Sequence, residues 1–259
     1  MKTTSSIRNP KKIGIVGGVT WRSTVDYYAG ICLRSEQREL ELDPQVTPAM
    51  PEISIESLDH GKVLSYLGSD NDENSWRQFD DYHRAALQRL EASGADFAVL
   101  ASNSPHHRLE AITRGITIPV ISILDAVGAA AARLGAAEVL ILGTAITMRS
   151  ARFREGFARY KVSATGPADE SDRAGTLALV SELQRGEVQD SAERLTKIAS
   201  TALHHFRTQP AVCLACTELP LAFPSQRMLA TFEHNGIHYI NSTAAHIEAI
   251  VDFAFSPEC

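Results

Sequence analysis

Cysteine is scarce in this chain: 259 residues contain four, Cys32, Cys213, Cys216 and Cys259. That is too few for a disulfide framework, so a conspicuous cysteine is a packing residue, a ligand, a nucleophile or a base. No apolar run is long enough to cross a bilayer, and the polar stretch Met1–Lys12 lacks the hydrophobic segment of a secretion signal. The chain is therefore expected in the cytoplasm, with reduced thiols and no membrane contact. An excess of basic residues is missing as well. The net charge of -6 leaves no cationic stripe for phosphate backbones, which argues against a nucleic-acid partner. Composition bias is absent too: 44% hydrophobic and 22% charged residues describe an ordinary folded chain, long enough for two modest domains.

What is present is alternation. The β-branched runs Lys12–Val16, Glu52–Glu56, Phe97–Ala101, Pro119–Ser122, Glu138–Leu142, Ala211–Ala215 and His238–Ile240 are predicted strands. Amphipathic spacing predicts helices from Trp21 to about Arg38 and over Asp72–Ser93, Asp125–Leu134, Asp169–Gln184, Ser191–His205 and Ser242–Phe253. Strands alternating with helices predict an α/β fold with mainly parallel sheets flanked by helices. Two internal echoes suggest duplication. Lys12–Gly18 followed by Trp21-Arg22-Ser23 parallels Glu138–Thr144 followed by Met148-Arg149-Ser150, and Leu100–Ser104 parallels Leu214–Glu218. The expected organisation is a duplicated α/β unit, residues 1–117 with 219–259 as one domain and residues 118–218 as the other; if the halves face each other, the echoed turns line one cleft.

Ligands of parallel sheets bind beyond the carboxyl ends of the strands, where all four echoed turns fall. Gly17-Gly18, Ser102-Asn103-Ser104, Gly143-Thr144 and Cys216-Thr217-Glu218 would offer hydroxyls, amides and helix N-termini to a small anionic molecule. The glycine turn has neither G-x-G-x-x-G nor G-x-x-x-x-G-K-[ST] spacing, so it supports no nucleotide, and its plain reading is a tight turn. Cys216 stands out because a thiolate at a helix N-terminus is favoured by the dipole, although a buried structural cysteine is the common alternative. Cys213 and Cys216 form C-x-x-C, but no second Cys/His pair has metal-ligand spacing, so no metal is expected. His106 would cap, bind substrate or be solvated. Arg173, at a helix start, would reach a substrate carboxylate or simply lie in solvent.

Ile13–Thr24 with its Gly-Gly-x-x-Trp-x-Ser-Thr run, Tyr27-Tyr28, Gly143-Thr144, Cys216-Thr217-Glu218-Leu219-Pro220, and Ser242-Thr243 with His246 together resemble the aspartate/glutamate racemases along nearly the whole chain. The resemblance implies two pseudosymmetric α/β domains, a homodimer, no pyridoxal phosphate or other cofactor, and an amino-acid or small carboxylate substrate. Two cysteines on opposite faces of the α-carbon then exchange its proton. By resemblance Cys216 is the second of that pair, and Glu218 tunes or orients it. Gly17, Gly18 and Trp21 belong to the substrate-binding turn, and Asn103, Ser104, Thr144 and Thr217 hold the α-carboxylate and amine. His106 ends the matching segment, and Arg173 falls where relatives place a cation for the distal carboxylate.

One position departs from the pattern: where the family reads Cys-Asn-Thr-x-His, this chain reads Ser102-Asn103-Ser104-Pro105-His106. A serine hydroxyl is a far weaker acid than a thiol and a poor base without activation. Val19, Arg22 and Asn241 stand where Met, Glu and Asp are frequent. The expected function is racemisation of aspartate or glutamate, weak or one-sided because of Ser102. The alternatives are a single-cysteine decarboxylase or related isomerase of small carboxylates, and a non-catalytic amino-acid-binding protein.

Overall fold

A computed structural model describes residues 10–69, 72–206, 208 and 210–257. Residues 1–9 and Cys259, which entered the sequence reading, lie outside the described residues. The chain divides into two compact units, one of residues 1–101, 110–121 and 247–259, the other of 102–109 and 122–246.

In the first unit β1 (Ile13–Gly17) leads to α1 (Trp21–Leu42), β2 (Ile53–Ser57), α2 (His60–Ser65), α3 (Arg77–Ala92), β3 (Phe97–Leu100), α4 (Leu109–Ile112) and β4 (Val120–Ile121). The strands pair in parallel in the order β2-β1-β3-β4. β1 and β3 are unbroken apolar runs because both faces are covered, and all their residues are buried. Ile13, Ile15, Phe97 and Val99 form a core with Tyr27 and Ile31 of α1 and with Ile247, Ile250 and Val251 of the C-terminal helix. In α3, Phe79, His83, Ala86, Leu87 and Leu90 recur at three- and four-residue spacing and are buried. Gly94 just beyond its end adopts a left-handed φ of 77°. The stretch predicted as one helix from Asp72 starts differently, with a 3-10 turn over Glu73–Trp76 in which Asp72 accepts from the Asn74 N–H at 3.0 Å. The Asp72 side chain thereby competes with α-helical pairing.

The second unit holds α5 (Ile123–Arg133), β5 (Glu138–Gly143), α6 (Ala145–Arg149), α7 (Ala151–Ala158), β6 (Ser163–Thr165), α8 (Glu170–Arg185), α9 (Ser191–Leu203), β7 (Ala211–Ala215), β8 (Thr231–His234), β9 (Ile237–Asn241) and the start of α10 (Ser242–Ala254). Its sheet runs β6-β5-β7-β9-β8, parallel except for the β8–β9 hairpin. Asn235 and Gly236 close that hairpin with positive φ values of 51° and 75°. Four strands of each sheet follow one plan: the first strand lies between the second and third, and the fourth lies beyond the third. This shared order is the structural counterpart of the sequence echoes. Residues 219–246, which the sequence reading gave to the first domain, group with the second because β9 pairs directly with β7, Cys213 opposite Ile240.

Candidate active site

Within the second unit, the carboxyl ends of β5, β7 and β9 lie side by side, Gly143 opposite Ala215 and Leu214 opposite Asn241. Any side chain at Gly143 would put its Cβ 2.5 Å from the Ala215 carbonyl oxygen, so only glycine permits this approach. Thr144 then caps α6, its Oγ1 3.0 Å from Thr147 Oγ1. The Ser104 hydroxyl lies 3.5 Å from that of Thr144, bringing residues 102–109 to the end of β5. In that segment the His106 N–H donates to the Asn103 carbonyl, and His107 Nδ1 lies 3.0 Å from Ser150 Oγ.

Cys216 is 4% exposed and shares an apolar cluster with Leu219, Phe223 and Tyr239. Its thiol donates to Glu218 Oε2 at 3.0 Å, and Thr217 Oγ1 donates to the same oxygen at 2.9 Å. Burial pushes the thiol pKa well above its ordinary value, and the adjacent carboxylate pushes it further. The backbone N–H groups of Thr217 and Glu218 pull the other way without prevailing. This corrects the expectation that a helix dipole favours the thiolate. After Cys216 the chain makes only a four-residue 3-10 turn, Leu219–Ala222, too short for a strong macrodipole. The resting sulfur is a thiol hydrogen-bonded to a carboxylate. Cys213 is wholly buried in the strand, and burial raises its pKa. Among the described residues no set of three or more His, Cys, Asp or Glu gathers as metal ligands.

Ser102 and Asn103 are 8% and 3% exposed, and neither polar atom of the Asn103 side chain has a partner among the described residues. His106 is buried rather than solvated. Its ring meets that of His246 edge to face, the centroids 5.5 Å apart. Arg173 is held by its own loop: it donates to the Pro167 and Ala168 carbonyls at 2.5 and 2.8 Å and to Glu170 at 2.7 Å. A cation so engaged braces the start of α8. Its neighbour Asp172 is buried, and burial raises its pKa, with Asp169 adding to the effect.

The remaining candidates, Gly17, Gly18 and Trp21, belong to the first unit. Gly18 has φ 84°, its missing side chain leaves room for Leu58, and its N–H donates to Thr24 Oγ1 at 2.9 Å, so the turn reading holds there. Trp21 is 64% exposed under the Arg22 guanidinium. Two residues given no role from sequence stand out. His246 faces His106, and Thr243 is buried with its hydroxyl unpartnered among the described residues. Their signal was the Ser242-Thr243 and His246 motif.

The strand ends of this parallel α/β scaffold present a buried thiol, a carboxylate and several hydroxyls. The family profile described as Asp/Glu/Hydantoin racemase matches residues 16–250, and the chain belongs to that family. Racemases are isomerases. Solved structures share the fold. An aspartate racemase homologue from Pyrococcus horikoshii is 23% identical, with 95% of this chain and 100% of that chain covered and a TM-score of 0.74. The aspartate racemase of Picrophilus torridus is 18% identical over 94% of each chain, TM-score 0.68. A glutamate racemase from Francisella tularensis, solved in complex with D-glutamate, is 14% identical over 95% of this chain and 81% of that one, TM-score 0.62. Among the described residues no helix is long and apolar enough to cross a membrane.

Proposed function

We propose that the chain racemises an acidic amino acid, aspartate or glutamate, without a cofactor, and that Cys216 handles the α-proton on one face while Ser102 makes the other face slow. The observation that carries the reading is the Cys216–Glu218 hydrogen bond in a buried site. The S–H proton passes to the Glu218 carboxylate as the thiolate takes the α-hydrogen. A planar carbanion remains, water held at Ser102 returns a proton to its opposite face, and the hydroxide left behind is neutralised, through solvent, by the proton that Glu218 gives up. In the reverse direction the Cys216 thiol, kept protonated by its raised pKa, is the donor. Asn103, Ser104, Thr144 and Thr217 supply uncharged donors and acceptors for the α-substituents. Arg173 is left out of distal recognition in this reading, because its donors are engaged. A homodimer in the cytoplasm belongs to the same proposal.

The test is exchange of the α-hydrogen in heavy water, followed by NMR for both enantiomers of aspartate and glutamate. Exchange should be faster for one enantiomer and vanish in Cys216→Ala. No exchange with any of the four would sink the assignment. The protonated thiol also favours a second reading, a decarboxylase in which Cys216 protonates the carbanion left by carbon dioxide. Carbon dioxide release from a panel of disubstituted malonates distinguishes the two.

A further inference from the structure

We propose that the Thr243 hydroxyl, together with Asn103, binds the amino group of the substrate; this deepens the racemase reading and rests on it. Thr243 follows the end of β9: Leu214 pairs with Asn241, and Ser242 Oγ donates to the Leu214 carbonyl at 2.8 Å. Asn241 Oδ1 fixes the first turn of α10 by accepting from the Thr243 and Ala244 N–H groups at 3.1 and 3.2 Å. Across from it, His106 and His246 meet edge to face. Asn103 precedes His106 by three residues at a 3-10 turn, where that spacing eclipses side chains. Thr243 precedes His246 by three on α10, again on one face. Two faces that meet at the histidines therefore carry Asn103 and Thr243 toward one spot.

Both side chains are more than nine-tenths buried, and Thr243 Oγ1, Asn103 Oδ1 and Asn103 Nδ2 have no partner among the described residues. Buried polar groups are normally paired, so three such atoms on the two faces that meet at His106 and His246 mark a surface held for a ligand. Two oxygens there accept, as an ammonium group requires.

Calorimetry on the wild type, Thr243→Val and Thr243→Ser with aspartate and glutamate, and with succinate and glutarate, which lack the amino group, tests this. Thr243→Val should weaken the amino acids roughly tenfold, the cost of one lost hydrogen bond to a charged group, leave the diacids unchanged, and keep or raise Tm because an unsatisfied hydroxyl is gone. Thr243→Ser should restore amino-acid binding. Equal losses for amino acids and diacids, no loss at all, or a lowered Tm in Thr243→Val would overturn the proposal while leaving the racemase reading intact. A wild type that binds neither amino acid removes that reading and this proposal with it.

Discussion

The end of β3 and the end of β7 are echoes in sequence and occupy the same place in two sheets of one plan, yet they carry different chemistry. After β7, Cys216 donates to Glu218 and Thr217 donates to the same carboxylate, so the thiol already has a partner that can accept a proton. After β3, Ser102 offers a hydroxyl and Asn103 a buried amide with no partner among the described residues. Duplicating a scaffold reproduces backbone positions, because strand order and turns follow from burial patterns. Reactivity does not copy with it, since it depends on one side chain and its immediate neighbours.

The largest test of this asymmetry is Cys216→Ala. If the β7 end supplies the chemistry, α-hydrogen exchange should fall by a hundredfold or more, the usual scale for a general acid or base, with the circular dichroism spectrum unchanged. A residual rate within a few-fold of wild type would move the chemistry elsewhere.

The helices that precede β3 and β7 should also differ in their contribution to acid tolerance. In α3, the helix before β3, His83 is wholly buried, its Nδ1 2.8 Å from the Phe79 carbonyl, and burial lowers its pKa to about 4. In α9, the helix before β7, the buried residues are Ser191, Leu195, Ala199 and Ala202, none of them titratable. A depressed histidine pKa stabilises the fold above the unfolded value of about 6.5, and that contribution is lost as pH falls toward 4. The loss attributable to His83 is on the order of 3 kcal/mol. Urea unfolding at stepped pH should show His83→Leu flattening this fall; identical pH slopes in variant and wild type would refute it.

Glu218→Gln sharpens the comparison at the site. Removing the carboxylate removes one cause of the raised thiol pKa, so the Cys216 thiolate should appear at lower pH in an ultraviolet titration. Exchange should slow by roughly tenfold because the proton acceptor is gone. Ser102→Cys breaks the asymmetry from the other side: the slower enantiomer should gain exchange, by about tenfold, while the faster one changes little. No gain in a folded variant means the hydroxyl was not limiting. The smallest effect is expected at Asn241. Its Nδ2 donates to the Arg227 carbonyl at 2.8 Å while its Oδ1 caps α10, so Asn241→Asp keeps the cap but loses the donor. A destabilisation of about 1 kcal/mol, read from thermal unfolding, is expected.

Much of this was legible along the chain. All seven predicted strands exist, because buried parallel strands are contiguous apolar runs that local inspection detects. The strands β6 and β8 escaped it. β6 is three residues of Ser-Ala-Thr at an edge, with too little apolar pattern, whereas β8 is marked in the sequence only by the Asn235-Gly236 hairpin turn that follows it. At the site, Cys216, Glu218 and Thr217 come together as their adjacency suggests. Arg173 shows the limit: an arginine at a helix start looks available until the carbonyls of its own loop are seen to occupy it.

By itself the sequence determined the alternation of strands and helices, the duplicated plan, and the thiol that stands beside a carboxylate, since each is written in neighbouring residues. Tertiary structure alone decided that the thiol rests protonated, that His106 faces His246, and that residues 219–246 extend the second sheet. Those outcomes depend on burial and on contacts between residues far apart in the chain, and a pKa or a strand partner is set by surroundings rather than by order.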